Sequence, residues 1–448
     1  TLSNEQHRMS AITELDDGDD IDTPEGTIRP TALSRDRYDV SYAYSDEGRQ
    51  ILVYAGKLDT DNTGTPALPM DIIVIDTELY GAQASFDVGT TLTLEARFAY
   101  NDVDHLMDNH SMREAPASAG FRLNTTSGSG SQFYFAGAWE RGTSEFLLGV
   151  DGIAATHEST ITNPNNAAFG VTNFNAIGRD LLGLFGEWNG ALGNAWESEF
   201  GLRVNQVRMD AGEVDHHMAG SNANIATLRD NFNNADRSKT DTNVDWVARF
   251  LRPLSSTVDV EMGVARKMRS PSYQERYLWF PMESTGGLAD GNTYIGDINL
   301  DPELSHQVEL ALNLQTGNAF FEPRIFYRDV SDYIQGVPST NAVANMVGMM
   351  MGGAAPLQFA NVDATFYGAD AAWGYSIDNY WSLGGIVSYV RGKRDDIADN
   401  LYRIAPLNGT LGLNYNAGTW DVTAEGVFYD RQDKVSTTNG ESTSPGYA

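Results

Sequence analysis

The sequence contains no cysteine among its 448 residues, so disulfide bonds and thiolate metal sites are excluded within it. Basic residues are also scarce: Lys and Arg number 30 against 61 Asp and Glu, which gives a net charge of −31. Nucleic-acid affinity depends on protein cations that displace counterions from phosphates. This charge balance therefore excludes a nucleic-acid partner and makes cations the expected ligands.

Long apolar runs are missing as well. No stretch approaches 18 consecutive apolar residues, which excludes a helical membrane protein. The first residues show no basic segment followed by an apolar one, so we expect a signal peptide to be absent or already removed. Nucleophile-elbow, zinc-protease, phosphate-loop and dinucleotide motifs are absent too, and we predict no enzymatic activity. The lack of long apolar runs does not exclude a membrane β-barrel, because its strands are apolar only at alternate positions.

The sequence does show a strong two-residue alternation of apolar and polar side chains. In 91–101, Leu92, Leu94 and Phe98 share one face of a predicted strand, whereas Glu95 and Arg97 share the other. The same division recurs in 196–205, 244–250, 258–264, 307–314, 321–328 and 421–428. One face of each strand is therefore apolar and the opposite face carries charge.

Alternation alone suits a soluble β-sandwich equally well, but three further features favour a membrane barrel. Aromatic residues lie near the ends of the predicted strands, which is typical of the aromatic belts of a membrane barrel. Glu and Arg lie in mid-strand on the polar faces, which is typical of a water-filled or plugged interior. Short and long connections also take turns along the chain. The short ones are 87–91, 140–145, 193–195, 252–257, 315–319, 376–380 and 416–420, and the long ones are roughly 58–71, 107–130, 157–175, 206–241, 267–303, 330–360 and 395–401. The aromatic positions include Tyr100, Trp196, Tyr327, Trp373 and Tyr375.

This rhythm predicts an all-β fold, a large antiparallel transmembrane β-barrel of the plugged class. We count 16 or 17 strands, the first near 37–45 and the last near 420–432. A Greek-key series would not keep so regular an alternation of turn lengths. A length of 448 residues by itself suggests several domains, but one large barrel accounts for it as well.

Several segments resemble the TonB-dependent outer-membrane receptors, in particular their copper-receptor branch. Segment 265–312 contains the family's Leu-x-Pro-Glu-x-Ser pattern at Leu300, Pro302, Glu303 and Ser305, and 101–113 contains a His-x-Met pair. Segments 63–72, 359–375 and 389–415 are similar to other parts of the family's barrel. The resemblance implies a 22-stranded barrel in the bacterial outer membrane that takes up copper ion or a copper chelate.

The resemblance also implies partners. The family draws energy from the TonB–ExbB–ExbD complex through an N-terminal plug with a TonB box, and its barrel contacts outer-membrane lipid and lipopolysaccharide. Neither plug nor TonB box is found in this sequence, and the terminal Phe of the family's last strand is not found either. We therefore expect residues 1–448 to be an incomplete barrel that lacks the plug, the first strands and the C-terminal strands.

The strand pattern places the His-x-Met pair before any resemblance is used. If Glu95 and Arg97 face the interior, His105 and Met107 face it as well, provided that no bulge intervenes. An imidazole with a thioether suits a soft ion such as Cu(I). The alternative is that both are rim residues at the start of a loop. The resemblance implies that a Cys and a Met of the plug complete the site, so we expect the barrel alone to bind weakly.

Other His and Met residues are weaker metal-capture candidates. Met70 precedes a predicted strand and could approach the same mouth as His105. His216, His217 and Met218 form a second group, for which a solvated acidic loop is the alternative. Met346, Met349, Met350 and Met351 form a third, which could instead be an apolar patch, since Met fills irregular gaps.

Three other functions stay open on the sequence alone. The barrel could take up another cargo such as an iron siderophore, because 266–282 supplies Arg266, Arg269, Tyr273, Arg276, Tyr277 and Trp279. It could also be a passive porin, or a surface scaffold bound by a partner protein.

Overall fold

The computed structural model describes residues 2, 3, 6–24, 26–193, 195–286 and 288–448. Their main feature is one antiparallel sheet of long strands. The strands are β1 (His7–Gly18), β2 (Leu33–Asp46), β3 (Arg49–Thr63), β4 (Asp71–Val88), β5 (Leu92–Asp108), β6 (Leu123–Arg141), β7 (Ser144–Thr162), β8 (Gly170–Leu192), β9 (Trp196–Asp210), β10 (Lys239–Ser255), β11 (Val258–Arg269), β12 (Glu303–Gln315), β13 (Ala319–Pro338), β14 (Leu357–Ser376), β15 (Trp381–Arg394), β16 (Asn408–Asn416) and β17 (Asp421–Tyr429).

Shorter elements lie at the start of the chain and in the loops. Leu2–Ser3 pairs with β1, Ile21–Thr23 pairs with Gly26–Ile28, and Tyr294–Ile295 adds a parallel pair to β14. The helices are α1 (Ala223–Asn234), α2 (Tyr273–Tyr277), α3 (Glu283–Gly286) and α4 (Ala342–Met350), with 3-10 turns at Ser118–Gly120 and His217–Gly220. In the described part of the chain, no helix has the length and apolarity needed to cross a bilayer.

Each long strand pairs with its neighbours in the sequence, so the sheet is a continuous meander. β5, for example, pairs with β4 from Asp71↔Asp108 to Val88↔Leu92, and with β6 along its whole length. This arrangement pairs the backbone groups of every interior strand on both sides, which a chain that crosses lipid requires.

The predicted alternation of turn lengths is confirmed. Tight turns such as 47–48 and 142–143 join strands at one end of the sheet, which we call the short-turn end. Connections such as 211–238 and 270–302 join them at the other, the long-loop end. The strands run further into the predicted loops than expected, since extended pairing continues beyond the alternating apolar stretch.

One strand lies where none was predicted. The structure has β1 at His7–Gly18, paired with β2, ahead of the strand expected near 37–45. Its exposed apolar residues Met9, Ile12 and Leu15 recur every third position and break the two-residue alternation. Backbone pairing with β2, rather than a side-chain pattern, makes this segment a strand.

The two faces of the sheet differ as the alternation predicted. Exposed apolar side chains such as Phe98, Phe135 and Leu184 cover one side, which we call the apolar face. The opposite, polar face carries ion pairs between neighbouring strands. Arg203 lies 2.6 Å from Asp151, and Arg249 lies 2.8 Å from both Glu199 and Glu261. These ion pairs between strands thus lie on the side away from lipid.

Aromatic residues form belts near both ends of the apolar face. Towards the long loops, Tyr80 and Tyr100 are directly opposite each other, and their hydroxyls donate to Glu78 and Asp102. Towards the short turns, the ring of Phe200 lies 5.5 Å from both Trp188 and Phe250, and Trp196 contacts Phe250. Two such belts mark the two interfaces of a bilayer.

The long loops pack into one apolar cluster, which we call the loop core. It joins α1, α4 and the 270–302 loop through buried side chains such as Ile225, Phe232, Tyr277, Phe280 and Val347. Because a loop without such a cluster would expose its backbone and move, this packing gives the long-loop end a defined shape.

A buried ion pair ties the loop core to the sheet. Arg276 on α2 is only 2% exposed and donates to the carboxylate of Asp241 at 3.0 Å and to the carbonyl of Leu300 at 2.9 Å. Arg269 bridges Glu275 and Glu303, the latter from the Leu-x-Pro-Glu-x-Ser pattern. Leu300 and Glu303 of that pattern thus help to anchor the 270–302 loop.

We predict that Arg276→Leu destabilises the loop core, because it leaves the Asp241 carboxylate buried without its cation. Breaking one side of a buried pair costs about 3–5 kcal/mol. Hydrogen exchange should show faster amide exchange in 210–239 and 270–302, with little change in β4 to β6.

Two further variants control this test. Arg229→Gln removes a cation whose partners Asp215 and Asp230 are exposed, so exchange should be little changed. Arg276→Leu combined with Asp241→Leu should recover part of the protection. If the single Arg276 variant exchanges like wild type, the pair does not hold the loop core.

Candidate functional site

A cavity of about 170 Å³ opens on the polar face of β5, β6 and β7 at the long-loop end, under the loop core. The connection 64–70 and the 270–302 loop close it from two other sides. Its potential metal donors are Met70, His105, Met107 and His157, and its other lining residues are neutral, among them Asn124, Thr126, Ser159, Asn173, Phe174 and Tyr273.

The His-x-Met pair lies on β5, and both side chains point to this cavity. In the register with β6, His105 is opposite Thr126 and Met107 is opposite Asn124, without a bulge between them. Met107 is buried at 9% exposure. The Nε2 atom of His105 is also buried and has no hydrogen-bond partner in the described structure. A buried imidazole nitrogen of this kind is available to a ligand, since leaving it unpaired is costly.

Met70 reaches the same cavity because the loop before β4 is held by a buried ion pair. The Asp71 carboxylate is fully buried and accepts from Nε and Nη2 of Arg113, each at 2.6 Å. Arg113 also donates to the Leu68 carbonyl at 2.8 Å, and Thr65 donates its hydroxyl to the Met70 carbonyl at 2.5 Å. These contacts hold Met70, itself 4% exposed, beside the β5 pair.

His157 on β7 also lines the cavity, and the sequence interpretation missed it. The segment 157–175 was predicted as a loop, whereas β7 extends to Thr162. A usable signal was present in the spacing: His157 follows Asp151 by six residues, which places both on the same face of a strand. Extending the alternation past the predicted end of the strand would have found it.

Two aromatic rings form the wall beside His157. Its imidazole lies 4.7 Å from the Tyr273 ring and 5.5 Å from the Phe174 ring. Phe174 and Tyr273 also contact each other at 5.1 Å, edge to face. This wall gives the donors an apolar surrounding, and Asn173 adds a second buried, unpartnered atom, its Oδ1.

The second predicted group, His216, His217 and Met218, does not come together as one site. His216 is 1% exposed between the rings of Phe169 and Phe280. Its Nδ1 accepts from the Met218 N–H at 3.0 Å, and its buried Nε2 has no hydrogen-bond partner in the described structure. His217 is exposed, and Met218 packs against the loop core. His216 thus takes part in packing rather than in an open surface site.

The methionines of α4 form an exposed group. Met346, Met349 and Met350 are 45%, 56% and 46% exposed, whereas Met351 packs against the loop core. The Met350 sulfur accepts from the Asn222 side chain at 3.2 Å. Their thioethers lie on the outside of the loop core and do not line the cavity below it.

The cavity combines imidazole and thioether donors with neutral side-chain oxygens. Within the described residues, no three His, Cys, Asp or Glu side chains come together as a metal site. The cavity lining contains imidazoles and thioethers but, in that same part of the chain, no Asp or Glu. Hard cations require oxygen ligands, whereas thioether and imidazole ligands suit Cu(I).

The buried imidazole of His216 makes the loop core sensitive to acid. Burial, with a contribution from His217, lowers the pKa of His216 from its ordinary 6.5 to about 4. Asp215 acts in the opposite direction and Arg122 in the same one. The folded loop therefore binds this proton less readily than the unfolded loop does.

We predict that the loop core loses about 3 kcal/mol of stability as the pH falls from about 6.5 to about 4. Below pH 4, the protonation of His216 should change that stability little. Hydrogen exchange, corrected for intrinsic rates, should show this in 211–222. His216→Phe should remove the pH dependence, and His217→Gln, at an exposed imidazole, should keep it. Equal pH profiles for wild type and His216→Phe would contradict the prediction.

Known proteins share this fold. A family model described as TonB dependent receptor-like, beta-barrel, matches residues 15–448. No curated protein matches the chain in sequence. Among solved structures, the copper transporter OprC is 18% identical with a TM-score of 0.80, and the match covers 99% of this chain and 66% of that chain.

Receptors for other cargo align as well. The ferric citrate transporter FecA in its unliganded form is 12% identical (TM-score 0.68; 99% of this chain, 65% of that chain). The ferric-catecholate import receptor Fiu from E. coli K12 is 11% identical (TM-score 0.67; 100% and 71%). The chain thus spans about two thirds of the length of these structures, and at such identities the likeness is one of fold.

With the family model covering nearly all of its residues, the chain belongs to the TonB-dependent receptors, β-barrel proteins of the bacterial outer membrane.

Proposed function

We propose that this receptor takes up copper, as Cu(I), and that Met70, His105 and Met107 bind the metal at the outer mouth of the barrel. The observation that carries the proposal is the cavity itself. It brings two buried thioethers to the half-buried imidazole of His105, whose buried Nε2 has no hydrogen-bond partner in the described structure. Its likeness in fold to the copper transporter OprC agrees with this choice of cargo.

The chemistry of the donors supports Cu(I) over other metals. Thioethers are soft ligands that bind hard cations poorly, and imidazole binds copper readily. The neutral, largely apolar lining adds to this preference, because a strongly hydrated divalent cation would lose its water without gaining carboxylate ligands. A weakly hydrated monovalent ion loses less on entering the cavity.

The charge of the protein supports the capture of cations in general. The protein carries a net charge of −31. Such a field raises the local concentration of cations at the mouth of a cleft. The field attracts cations of every kind, and the neutral donors of the cavity select among them.

Uptake through barrels of this family requires energy from a source outside the barrel. We propose that the TonB–ExbB–ExbD complex supplies it through a plug domain, and that the apolar face contacts outer-membrane lipid and lipopolysaccharide. The aromatic belts at Tyr80 and Tyr100 and around Phe200 support that position in the bilayer.

An iron siderophore is the second candidate cargo, and the side chains of the 266–282 segment argue against it. A siderophore pocket would need free cations and hydroxyls. Arg269 is held by Glu275 and Glu303, and Arg276 by Asp241. Three of the others donate to backbone carbonyls, Arg266 to Val244, Tyr277 to Arg237 and Trp279 to Thr172, and Tyr273 packs its ring against His157 and Phe174.

We predict that His105→Gln and Met107→Leu each weaken Cu(I) binding to the purified full-length receptor by about 10–100-fold, since even indirect partners of a metal are worth that much. Competition with a chromogenic Cu(I) chelator measures the affinity. Met262→Leu is the matched control, because Met262 is an exposed thioether on the apolar face. Unchanged affinity in both cavity variants would refute the metal assignment.

A transport assay separates the candidate functions. Cells that carry the receptor should accumulate copper when copper is scarce, and accumulation should cease without TonB or in the His105→Gln variant. A growth defect restricted to iron limitation would instead indicate a siderophore. Ion conductance of the receptor in a planar bilayer without TonB would indicate a passive porin.

A further inference from the structure

We propose that His157 is a further protein ligand of the metal in this cavity, so that β5 and β7 each supply an imidazole. The proposal rests on the proposed function, because it concerns the same cavity and the same soft ion. It adds a residue outside the His-x-Met pair, on a strand that does not neighbour β5.

The position of His157 relative to β5 depends on Gly128. β6 lies between β5 and β7, and its residue opposite His157 is Gly128, which is also opposite Val103. A Cβ atom at Gly128 would lie 3.9 Å from the His157 Nδ1. No side chain therefore separates the imidazole from β5, and the ring can extend across β6 towards His105.

The register places the two imidazoles on adjacent rows of the sheet. His105 and Ser159 both pair with Thr126, and His157 precedes Ser159 by two residues. Side chains two residues apart on a strand share a face, so His157 and His105 face the same space from either side of β6. Met107 lies one row further towards the loops, opposite Asn124.

The surroundings of His157 hold its ring in place without occupying the cavity. Tyr273 and Phe174 contact the imidazole from the loop core and from β8, at 4.7 and 5.5 Å between ring centres. A ligand whose ring is held by its neighbours loses less entropy when it binds a metal. In the described part of the chain, no cavity-lining residue is Lys, Arg, Asp or Glu, so no charged partner competes for either imidazole.

The resulting set has two imidazoles, His105 and His157, and two thioethers, Met70 and Met107. Cys and Met donors select Cu(I), and imidazole accepts copper as well. The barrel was expected to bind weakly without donors from a plug. With His157, the barrel supplies four donors of its own.

The test is X-ray absorption at the copper edge on the full-length receptor loaded with Cu(I), together with the chelator competition. Wild type should show two nitrogen neighbours, and His157→Gln should show one, with an affinity lower by about tenfold or more. His157→Phe keeps an aromatic ring against Tyr273 and Phe174 and should lose the nitrogen while the loops stay folded. His306→Gln, at an exposed imidazole on β12, should leave both measurements unchanged.

The outcomes are distinguishable. If wild type binds Cu(I) through His105 and Met107 while both His157 variants keep its affinity and nitrogen count, the role of His157 is refuted and the proposed function stands. If wild type itself does not bind Cu(I), the proposed function fails and the ligand role fails with it. Loss of one nitrogen neighbour in both variants supports the proposal.

Discussion

Backbone hydrogen bonding inside a bilayer is the constraint on which this structure depends. Lipid offers no partner for a free N–H or C=O, so a chain that crosses it with strands must pair each strand with its neighbours. β1 to β17 do so as a meander. Because side chains alternate along each strand, one face then contacts lipid and the other can carry charge, as the Arg203–Asp151 and Arg249–Glu199 pairs do.

The same alternation continues beyond the bilayer and there takes on a different role. Past the belt at Tyr100, the polar face of β5 carries His105 and Met107 in place of charged residues. At this height the loop core covers the face and reduces its contact with water. Under the proposed function, a cation drawn by the acidic surface meets neutral, soft donors in an apolar surrounding, and the energetic basis of selection changes from charge to ligand type.

The loops that shape the cavity are held by a few buried polar contacts. The Asp71–Arg113 pair positions Met70, and the Arg276–Asp241 pair joins α2 to β10. Buried ion pairs add little net stability compared with apolar packing, but each is costly to break on one side only. They therefore favour a single arrangement of the loops, and that arrangement brings potential metal donors of one loop and two strands to a single cavity.

The sequence by itself determined the sheet: its antiparallel strands, its two faces and the order of its tight turns and long loops. It did so because alternation and turn chemistry are local properties. It also predicted that His105 and Met107 share a face. Only the tertiary structure decided what lies opposite them. His157 approaches them across Gly128, Met70 through a buried ion pair, and His216 is withdrawn between two aromatic rings. These relations depend on strand register and loop packing, which join residues far apart in the chain and leave no periodic pattern in it.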